Sequence, residues 1–428
     1  MKYAYMGRSG GRGPMRLERW QQIPTGTRDL LPGETARARQ VATGVLERMR
    51  RWGYREVTTP TLEYLDALVL GEGSAAGDAL FKLVDRGGEV LALRPEMTTS
   101  VARLVATRLR AAPLPLRLAY AGQVFRWREA GTGRLREFPQ VGCELIGAGS
   151  LEADAEIVAL AVESLEAAGV GQFTISLGHV GFLQGLLAGA RLPEPERDDA
   201  QALLYRKDFV GLRALLERHH AGASHVNALL ALPTLRGPAA LDEARRLADA
   251  PEVQSVVSDL AGLERMLRAY GVWDAVTVDL SIIRDFDYYT GIVFEGHTAA
   301  LGVPLLGGGR YDRLLERFGA SSPATGFAVR VERVLSADDG AADTWAPDAV
   351  VAFEDGGRDA ALACARALRA RDQIVAVEVQ GRAWEEVAAE ALARGAGRVL
   401  LVRAGTVVVR ERGREERAVS LEELTRGE

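Results

Sequence analysis

Cysteine, lysine and long apolar runs are scarce or absent in this chain of 428 residues. Its two cysteines, Cys143 and Cys364, exclude a disulfide framework, and no CxxC or Cys/His spacing typical of a zinc site occurs. No apolar run approaches the roughly 18 residues that a membrane span needs. We therefore expect no metal, no cofactor and no membrane association.

The N-terminal residues 1–22 are basic and rich in glycine, but they lack the apolar core and the cleavage site of a signal peptide. We predict that they form a disordered extension and that the protein is cytoplasmic. Lys2, Lys82 and Lys207 are its lysines, so arginine supplies almost all of the positive charge. The net charge of −5 gives no bulk attraction for nucleic acid, although a local basic groove could still exist.

The length predicts two or three domains. Residues 23–335 predict a largely antiparallel sheet with helices, interrupted by a helical insert at about 184–270. Residues 336–347 have the composition of a linker, and residues 348–428 alternate strand and helix patterns, which predicts a small α/β domain with a mostly parallel sheet. The predicted fold class is α+β, with this α/β domain at the C-terminus.

Two strand patterns, "LRLAYAGQVFRW" and "REFPQVGCELIG", surround the loop "REAGTGR" and predict an antiparallel hairpin. Gln140 and Glu144 are four residues apart on the second strand, so they share one face. Arg126, Arg134 and Arg136 could bind phosphate or carboxylate through their planar guanidinium groups. A polar pocket and a solvated hairpin face both fit this pattern.

Three other stretches also admit two interpretations. In "LRPEMTTSVAR", Glu96 and Thr98 stand near Pro95 at a predicted helix start, where they serve as capping residues or as acceptors for an ammonium group. In "RDFDYYTGIVFE", adjacent tyrosines on a predicted strand point to opposite faces, into the core or into a pocket. The glycines of "LGGGRYD" predict a tight turn or a close approach of the backbone to a ligand.

Together these stretches resemble the catalytic core of class II aminoacyl-tRNA synthetases, and specifically the histidyl-tRNA synthetase family, from about Ile23 to Leu335. "GYREVTTPTLEY" resembles the first class II motif, the dimerisation strand with its proline, here Pro60. The hairpin resembles the second motif, and "GFAVRVERVL" resembles the third with Arg333. "RDFDYYTGIVFE" and "LGGGRYD" resemble two segments peculiar to the histidine-specific branch.

The resemblance implies a histidine pocket. Residues matching Glu96 and Thr98 hold the α-amino group in that family, and those matching Glu144 and Tyr289 bind the imidazole. The full implied set for histidine is Glu96, Thr98, Gln140, Glu144, Arg284, Tyr288 and Tyr289. A possible anion-binding set is Arg126, Arg134 and Arg333.

The nucleotide side departs from the synthetase pattern. Arg128 stands where the family has a carboxylate for the adenine amino group, and arginine cannot accept a hydrogen bond. Arg330 and Met97 stand where the synthetases have glycine, and both should crowd the pocket. Residues 341–428 hold 13 arginines, no lysine and 16 acidic residues, which makes tRNA binding unlikely for this domain.

A second branch of the family fits these departures. "LRPEMTTSVARLVA" and "GRLREFPQ" resemble the regulatory subunits of ATP phosphoribosyltransferase. That resemblance implies no catalytic residues, a short catalytic partner subunit in a hetero-octamer, a self-dimer near Pro60, and histidine as feedback inhibitor. We further expect histidine to close the "LGGGRYD" and "RDFDYY" segments over the pocket. An active histidyl-tRNA synthetase, or a paralogue with an unrelated binding role, are the alternatives.

Overall fold

The computed structural model describes residues 18–72, 79–127, 135–247, 251–282, 289–337, 346–354, 356–403 and 406–426. The chain divides into a larger compact unit that includes Thr35–Gly340 and a smaller one that includes Ala341–Glu428. Residues 1–17 of the predicted extension and 338–345 of the predicted linker lie outside the described residues. Arg19–Gln21 form a short 3-10 helix.

The larger unit contains the elements that position the site. Its strands are β1 (Arg55–Glu56), β2 (Leu62–Tyr64), β3 (Lys82–Val84), β4 (Val90–Leu93), β5 (Leu116–Phe125), β6 (Glu137–Ile146), β7 (Thr174–His179), β8 (Val276–Val278), β9 (Ile292–His297), β10 (Leu306–Arg310) and β11 (Ala324–Arg330). Its helices are α1 (Pro32–Arg51), α2 (Leu65–Glu72), α3 (Thr98–Arg108), α4 (Leu151–Ala167), α5 (Val180–Gly189), α6 (Glu194–Tyr205), α7 (Phe209–Arg218), α8 (Ala223–Ala231), α9 (Ala240–Leu247), α10 (Pro251–Ala269), α11 (Leu314–Arg317) and α12 (Val331–Ala337).

The central feature is an eight-stranded sheet with the order β1-β5-β6-β11-β10-β9-β7-β8. Its outermost pairs, β1 with β5 and β7 with β8, are parallel, and the pairs between them are antiparallel. A separate three-stranded antiparallel sheet has the order β2-β4-β3. The predicted antiparallel core with helices is therefore confirmed.

One face of the central sheet is closed by an apolar core. Val141 and Cys143 of β6 and Phe327 of β11 pack into a cluster with the buried side of α4. Helix α1 joins this cluster because Val41, Val45 and Met49 recur at helical spacing, and all three are buried. Helices α5 to α10 follow β7 and form the predicted helical insert, although the helices begin at Val180, slightly before the predicted start.

Three local predictions were wrong. "LGGGRYD" does not begin as a turn, because Gly307–Gly309 lie inside β10, which is hydrogen-bonded to β9 and β11. "YREVTTPTLEY" is not one strand: β1 and β2 lie on either side of Pro60 and belong to different sheets. Pro95 does not stand in a first helical turn, since α3 begins at Thr98.

The smaller unit has its own sheet and its own core. Its strands are β12 (Ala349–Phe353), β13 (Val375–Val377), β14 (Arg398–Arg403), β15 (Thr406–Glu411) and β16 (Arg417–Ser420), and its helices are α13 (Arg358–Arg369), α14 (Trp384–Ala393) and α15 (Leu421–Arg426). Strands β13, β12 and β14 are parallel, as predicted, whereas β15 and β16 add two antiparallel strands that the sequence pattern did not indicate. None of the helices in the described ranges of either unit is long and apolar enough to cross a membrane.

Candidate functional site

The face of the central sheet opposite α4 is lined by residues with little or no side chain. Strand register places Gly142, Ala328 and Gly307 in one row across β6, β11 and β10, and places Gly326 beside Gly309 in the next. The residues between them, such as Val141, Cys143 and Phe327, point to the other face because neighbouring residues alternate. The result is a depression whose bottom is formed by the backbone at the four glycines and Ala328, and we call this depression the trough.

Glu144 lies at one end of the trough and is 1% exposed. Its Oε1 accepts hydrogen bonds from the hydroxyl groups of Thr98, at 2.8 Å, and Tyr120, at 2.9 Å. Its Oε2 accepts one from the hydroxyl of Tyr311. Gly326 stands opposite Glu144, and a Cβ atom there would lie 1.8 Å from Oε2, so glycine is the residue that fits.

Burial raises the pKa of the Glu144 carboxyl to about 8, and the hydrogen bonds from Tyr311, Thr98 and Tyr120 oppose that rise. Burial disfavours the charged form, while hydrogen bonds donated to a carboxylate favour it. Glu144 therefore titrates near neutral pH, where it can accept a hydrogen bond from an imidazole N–H or donate one to a bare imidazole nitrogen.

Glu96 and Thr98 form the side of the trough at the start of α3. The Glu96 carboxylate accepts hydrogen bonds from the backbone N–H groups of Thr98 and Thr99, both at 2.6 Å. The capping interpretation of Glu96 is thus confirmed. Capping leaves a lone pair on each carboxylate oxygen, so the same group can still accept a hydrogen bond from an ammonium group.

Gln140 shares the trough face with Glu144, as predicted from their spacing. It is 6% exposed, and its Oε1 is buried with no hydrogen-bond partner within the described ranges. An orphaned buried acceptor costs free energy comparable to that of a lost hydrogen bond. A ligand with N–H groups in the trough would satisfy this acceptor.

The remaining residues of the implied histidine set lie near or beyond the limit of the described chain. Tyr289 precedes β9 and is not on a strand, which corrects that expectation; its ring packs closely on Gly309. It belongs to the apolar cluster that also contains Met97, Tyr120 and Tyr311. Because Tyr289 is not on a strand, the strand alternation behind the opposite-face prediction does not apply to it. Arg284 and Tyr288 lie outside the described residues.

The implied anion-binding arginines are only partly described. Nε of Arg126 donates to the carbonyl oxygen of Pro95 at 2.8 Å. Arg333 donates to the carbonyl oxygen of Pro304, and its Nε lies 3.8 Å from Glu332 Oε1. Arg134 and Arg128 lie outside the described residues. Arg126 and Arg333 are thus anchored close to the sheet, and their anion-binding role stays a prediction.

Arg330 and Met97, the two departures within the described chain, both fill space beside the trough. The Arg330 guanidinium carbon lies 3.8 Å from the centroid of the Phe138 ring. Met97 is 1% exposed and packs with Tyr120 and Phe138. A Cβ atom placed on Gly122 would lie 2.4 Å from a terminal nitrogen of Arg94 and 3.4 Å from Met97 Cε, so both side chains occupy the space that this glycine leaves beside β5.

Sequence reasoning missed the residues that hold Glu144 in place. Tyr120 faces the trough from β5, opposite Gly142, and Tyr311 follows β10 directly. Tyr311 is the tyrosine of "LGGGRYD", so this motif could have indicated it as a site residue. Tyr120 lies within a strand pattern that indicates only a core residue.

The position of β10, and of Tyr311 after it, depends on a second network that was also missed. Nε of Arg310 donates to Asp154 Oδ1 at 3.0 Å, and the same guanidinium donates to the carbonyl oxygens of Ala148 and Ser150. Arg310 and Asp154 are both buried. A buried guanidinium with this many partners fixes the end of β10 against the start of α4.

The fold and the trough define a protein of the histidyl-tRNA synthetase type. The sequence model of the histidyl-tRNA synthetase family matches residues 26–334. A histidyl-tRNA synthetase from a Nostoc species has the same fold, with a TM-score of 0.78 at 22% identity over 95% of this chain and 99% of that protein.

Two proteins with higher sequence identity are named as regulatory subunits of ATP phosphoribosyltransferase. An ATP phosphoribosyltransferase regulatory subunit from Moorella thermoacetica is 45% identical over 87% of this chain and 96% of its own length. A solved structure from Bacillus halodurans, described as an ATP phosphoribosyltransferase regulatory subunit/histidyl-tRNA synthetase, is 35% identical, with a TM-score of 0.79 over 89% of this chain and 98% of that one. This chain therefore belongs to the family of ATP phosphoribosyltransferase regulatory subunits.

Proposed function

We propose that this chain binds histidine in the trough, associates with a short catalytic ATP phosphoribosyltransferase subunit that needs it for activity, and transmits feedback inhibition by histidine. It carries no catalytic residue of its own. The observation that carries the proposal is the constellation at the trough: a buried Glu144 held by Thr98, Tyr120 and Tyr311, beside Glu96 and an unsatisfied Gln140.

Histidine suits this constellation because its groups match the acceptors on the face. The imidazole needs a partner that both donates and accepts, and a carboxyl group titrating near neutral pH can do either. The α-ammonium needs an anionic acceptor, which Glu96 supplies at the start of α3. Gln140 contributes its unpaired Oε1 from the same strand face as Glu144.

A sensor must bind its ligand with different affinity in two states, because equal affinity shifts no equilibrium. The expected closure of "LGGGRYD" over the pocket does not fit a central strand that is hydrogen-bonded on both sides. We infer that β10 stays in place and that the coupling runs through elements outside the sheet. Helix α3 is one candidate, since its first residue contacts Glu144.

Calorimetric titration of histidine into the chain tests the binding step. We expect one site, and no heat of binding would overturn the proposal. The matched pair Glu144→Ala and Glu137→Ala tests the location, because Glu137 is an exposed residue at the start of the same strand. Histidine inhibition of the complex with the catalytic subunit should be lost in the first variant and kept in the second.

Co-purification tests the partner. A catalytic ATP phosphoribosyltransferase chain expressed with this one should elute with it, and its activity should depend on it. Separate elution, with full activity of the catalytic chain alone, would contradict this part of the proposal. The hetero-octamer and the self-dimer near Pro60 can be measured on the same sample by light scattering.

Histidyl-tRNA synthetase activity is the alternative, favoured by the match to the synthetase family model and by the retention of Arg126 and Arg333. Arg330, stacked on Phe138, and the acidic residues 341–428 oppose it. Histidine-dependent exchange of pyrophosphate into ATP discriminates directly. A robust exchange rate would establish the synthetase, and we expect none.

A further inference from the structure

The trough is closed at the end opposite Glu144 by one long side chain. Along β11, Gly326 and Ala328 leave the face open, and the next residue on that face is Arg330, which stands opposite Gln140. Phe138 lies one row further along β6 on the same face and is 1% exposed. The guanidinium of Arg330 covers its ring at 3.8 Å from the centroid.

Arg330 is held in this position by a buried carboxylate. Its Nε donates to Glu332 Oε1 at 2.8 Å, and its terminal nitrogen lies 2.7 Å from the same oxygen. Both side chains are largely buried, at 14% and 9% exposure. An ion pair with two contacts in a buried setting restricts the guanidinium, so it stays over the ring of Phe138 rather than turning into solvent.

We propose that Arg330 is a specificity-determining residue: by occupying the face of Phe138 it keeps a nucleobase out of the trough, which then accepts an amino acid alone. This inference rests on the proposed function, because it explains how a histidine site can operate in the presence of nucleotides. The excluded ligand class is a nucleotide, because every base has a face that could stack on Phe138.

The physical reason is that one ring face accepts one planar partner. A base stacks on an aromatic side chain at about the separation that the guanidinium already has, so both cannot be present. The neighbouring cations do not replace that contact. Arg126 has its guanidinium carbon 6.0 Å from the Phe138 centroid, beyond direct stacking. The arginines could still attract the phosphate of a nucleotide, but the base would add no stacking contact and so no affinity.

The test compares AMP with ribose 5-phosphate, because the ratio of their affinities isolates the contribution of the base from that of the phosphate. For the wild-type chain we expect the ratio to stay near one. For Arg330→Gly we expect AMP to bind at least about tenfold more tightly than ribose 5-phosphate, the effect of one base stacked on an aromatic ring. Arg330→Met is the matched control, since it removes the charge and keeps the bulk, and its ratio should stay near one.

Three outcomes would overturn the proposal. The first is a tenfold preference for AMP in the wild-type chain, which needs no variant and holds even if Arg330→Gly does not fold. The second is a ratio near one in an Arg330→Gly chain whose circular dichroism and melting are cooperative. The third is an equal preference for AMP in both variants, because charge and not volume would then be the cause.

Failure of this inference can be told apart from failure of the proposed function by titrating histidine into the same wild-type sample. If the wild type binds histidine and also prefers AMP to ribose 5-phosphate, the proposed histidine site is supported and the proposed role of Arg330 is wrong. If it does not bind histidine, the proposed function falls whatever the AMP ratio is.

Discussion

Single residues decide the chemistry of the trough, and the hydroxyl of Tyr311 is the most informative of them. It donates to Glu144 Oε2 from just after β10 and helps to orient that carboxyl group. Tyr311→Phe should weaken histidine binding by about tenfold and lower the free energy of unfolding by about 1–3 kcal/mol, as expected for the loss of a hydrogen bond to a buried carboxyl group. Calorimetry and urea denaturation measure the two effects.

Tyr54→Phe is the matched control for that variant. The Tyr54 hydroxyl donates to Glu156 at 2.9 Å, and the residue is buried away from the trough. The Tyr54→Phe variant should lose about as much free energy of unfolding as Tyr311→Phe, and it should keep the histidine affinity of the wild type. Equal loss of histidine binding in both variants would mean that Tyr311 acts through general stability and not through Glu144.

A second prediction for a single residue follows from the raised pKa of Glu144 and concerns how stability depends on pH. Its pKa of about 8 in the folded chain lies above the ordinary value of 4.5. The folded state therefore holds the proton more tightly, and the stability that this gives is complete below about pH 4.5 and is lost as the pH rises through about 8.

Glu144→Gln removes this titration. The free energy of unfolding of the wild-type chain, relative to that of the variant, should fall between about pH 5 and about pH 8 by at most about 1.4 kcal/mol per pH unit, and level off above that range. Urea denaturation of both proteins at each pH measures it. A difference that stays constant over this range would show that Glu144 is already ionised.

The residues that sequence alone could identify are those whose role depends on spacing. Gln140 and Glu144 share a face because they are an even number of residues apart on a strand, and this needs no tertiary information. Tyr120 and Tyr311 could not be assigned to Glu144, because they reach it from two other segments whose pairing is set by long-range register. Glu96 was ambiguous in sequence, and in the structure it caps α3 beside the trough.

At the scale of elements, the glycines of β10 were the main error. A glycine run usually indicates a turn because glycine tolerates positive φ. Gly309, on the trough face, is glycine here because a Cβ atom on it would lie 2.4 Å from the carbonyl oxygen of Ile292 and 2.8 Å from the ring of Tyr289. A run of glycines can therefore form either a turn or an open strand face. Only the pairing of β10 with β9 and β11 shows which of these two structures it forms.

Gly326→Ala tests the requirement for an open face. The new methyl group would lie 1.8 Å from Glu144 Oε2 and 2.5 Å from the carbonyl oxygen of Cys143, so the carboxyl group or the strand must move. Overpacking of this kind costs about 1–3 kcal/mol of stability. Histidine binding should be lost, as measured by calorimetry.

Gly302→Ala is the control for this variant, since no atom lies within 4 Å of the added methyl group. Its stability should be close to that of the wild type, and it should bind histidine normally. If Gly326→Ala also binds histidine with wild-type affinity, the backbone floor is not what the ligand contacts.

At the scale of the whole molecule, the described residues of the site all belong to the larger compact unit. The smaller unit has a core of its own on both faces of its sheet, with Val351, Cys364 and Leu400 in one cluster and Val387 and Leu401 in another. Units with separate cores are expected to fold separately. A chain that ends at residue 340 should thus keep the histidine site.

We predict that this shortened chain binds histidine within about threefold of the full-length affinity, because no described contact to Glu96, Gln140 or Glu144 comes from beyond residue 340. Calorimetry on both proteins measures this, and circular dichroism confirms that the shortened chain is folded. A chain of residues 341–428, titrated in the same way, should give no heat with histidine. A folded shortened chain that has lost histidine binding would show that the smaller unit completes the site, and the trough alone would then not explain recognition.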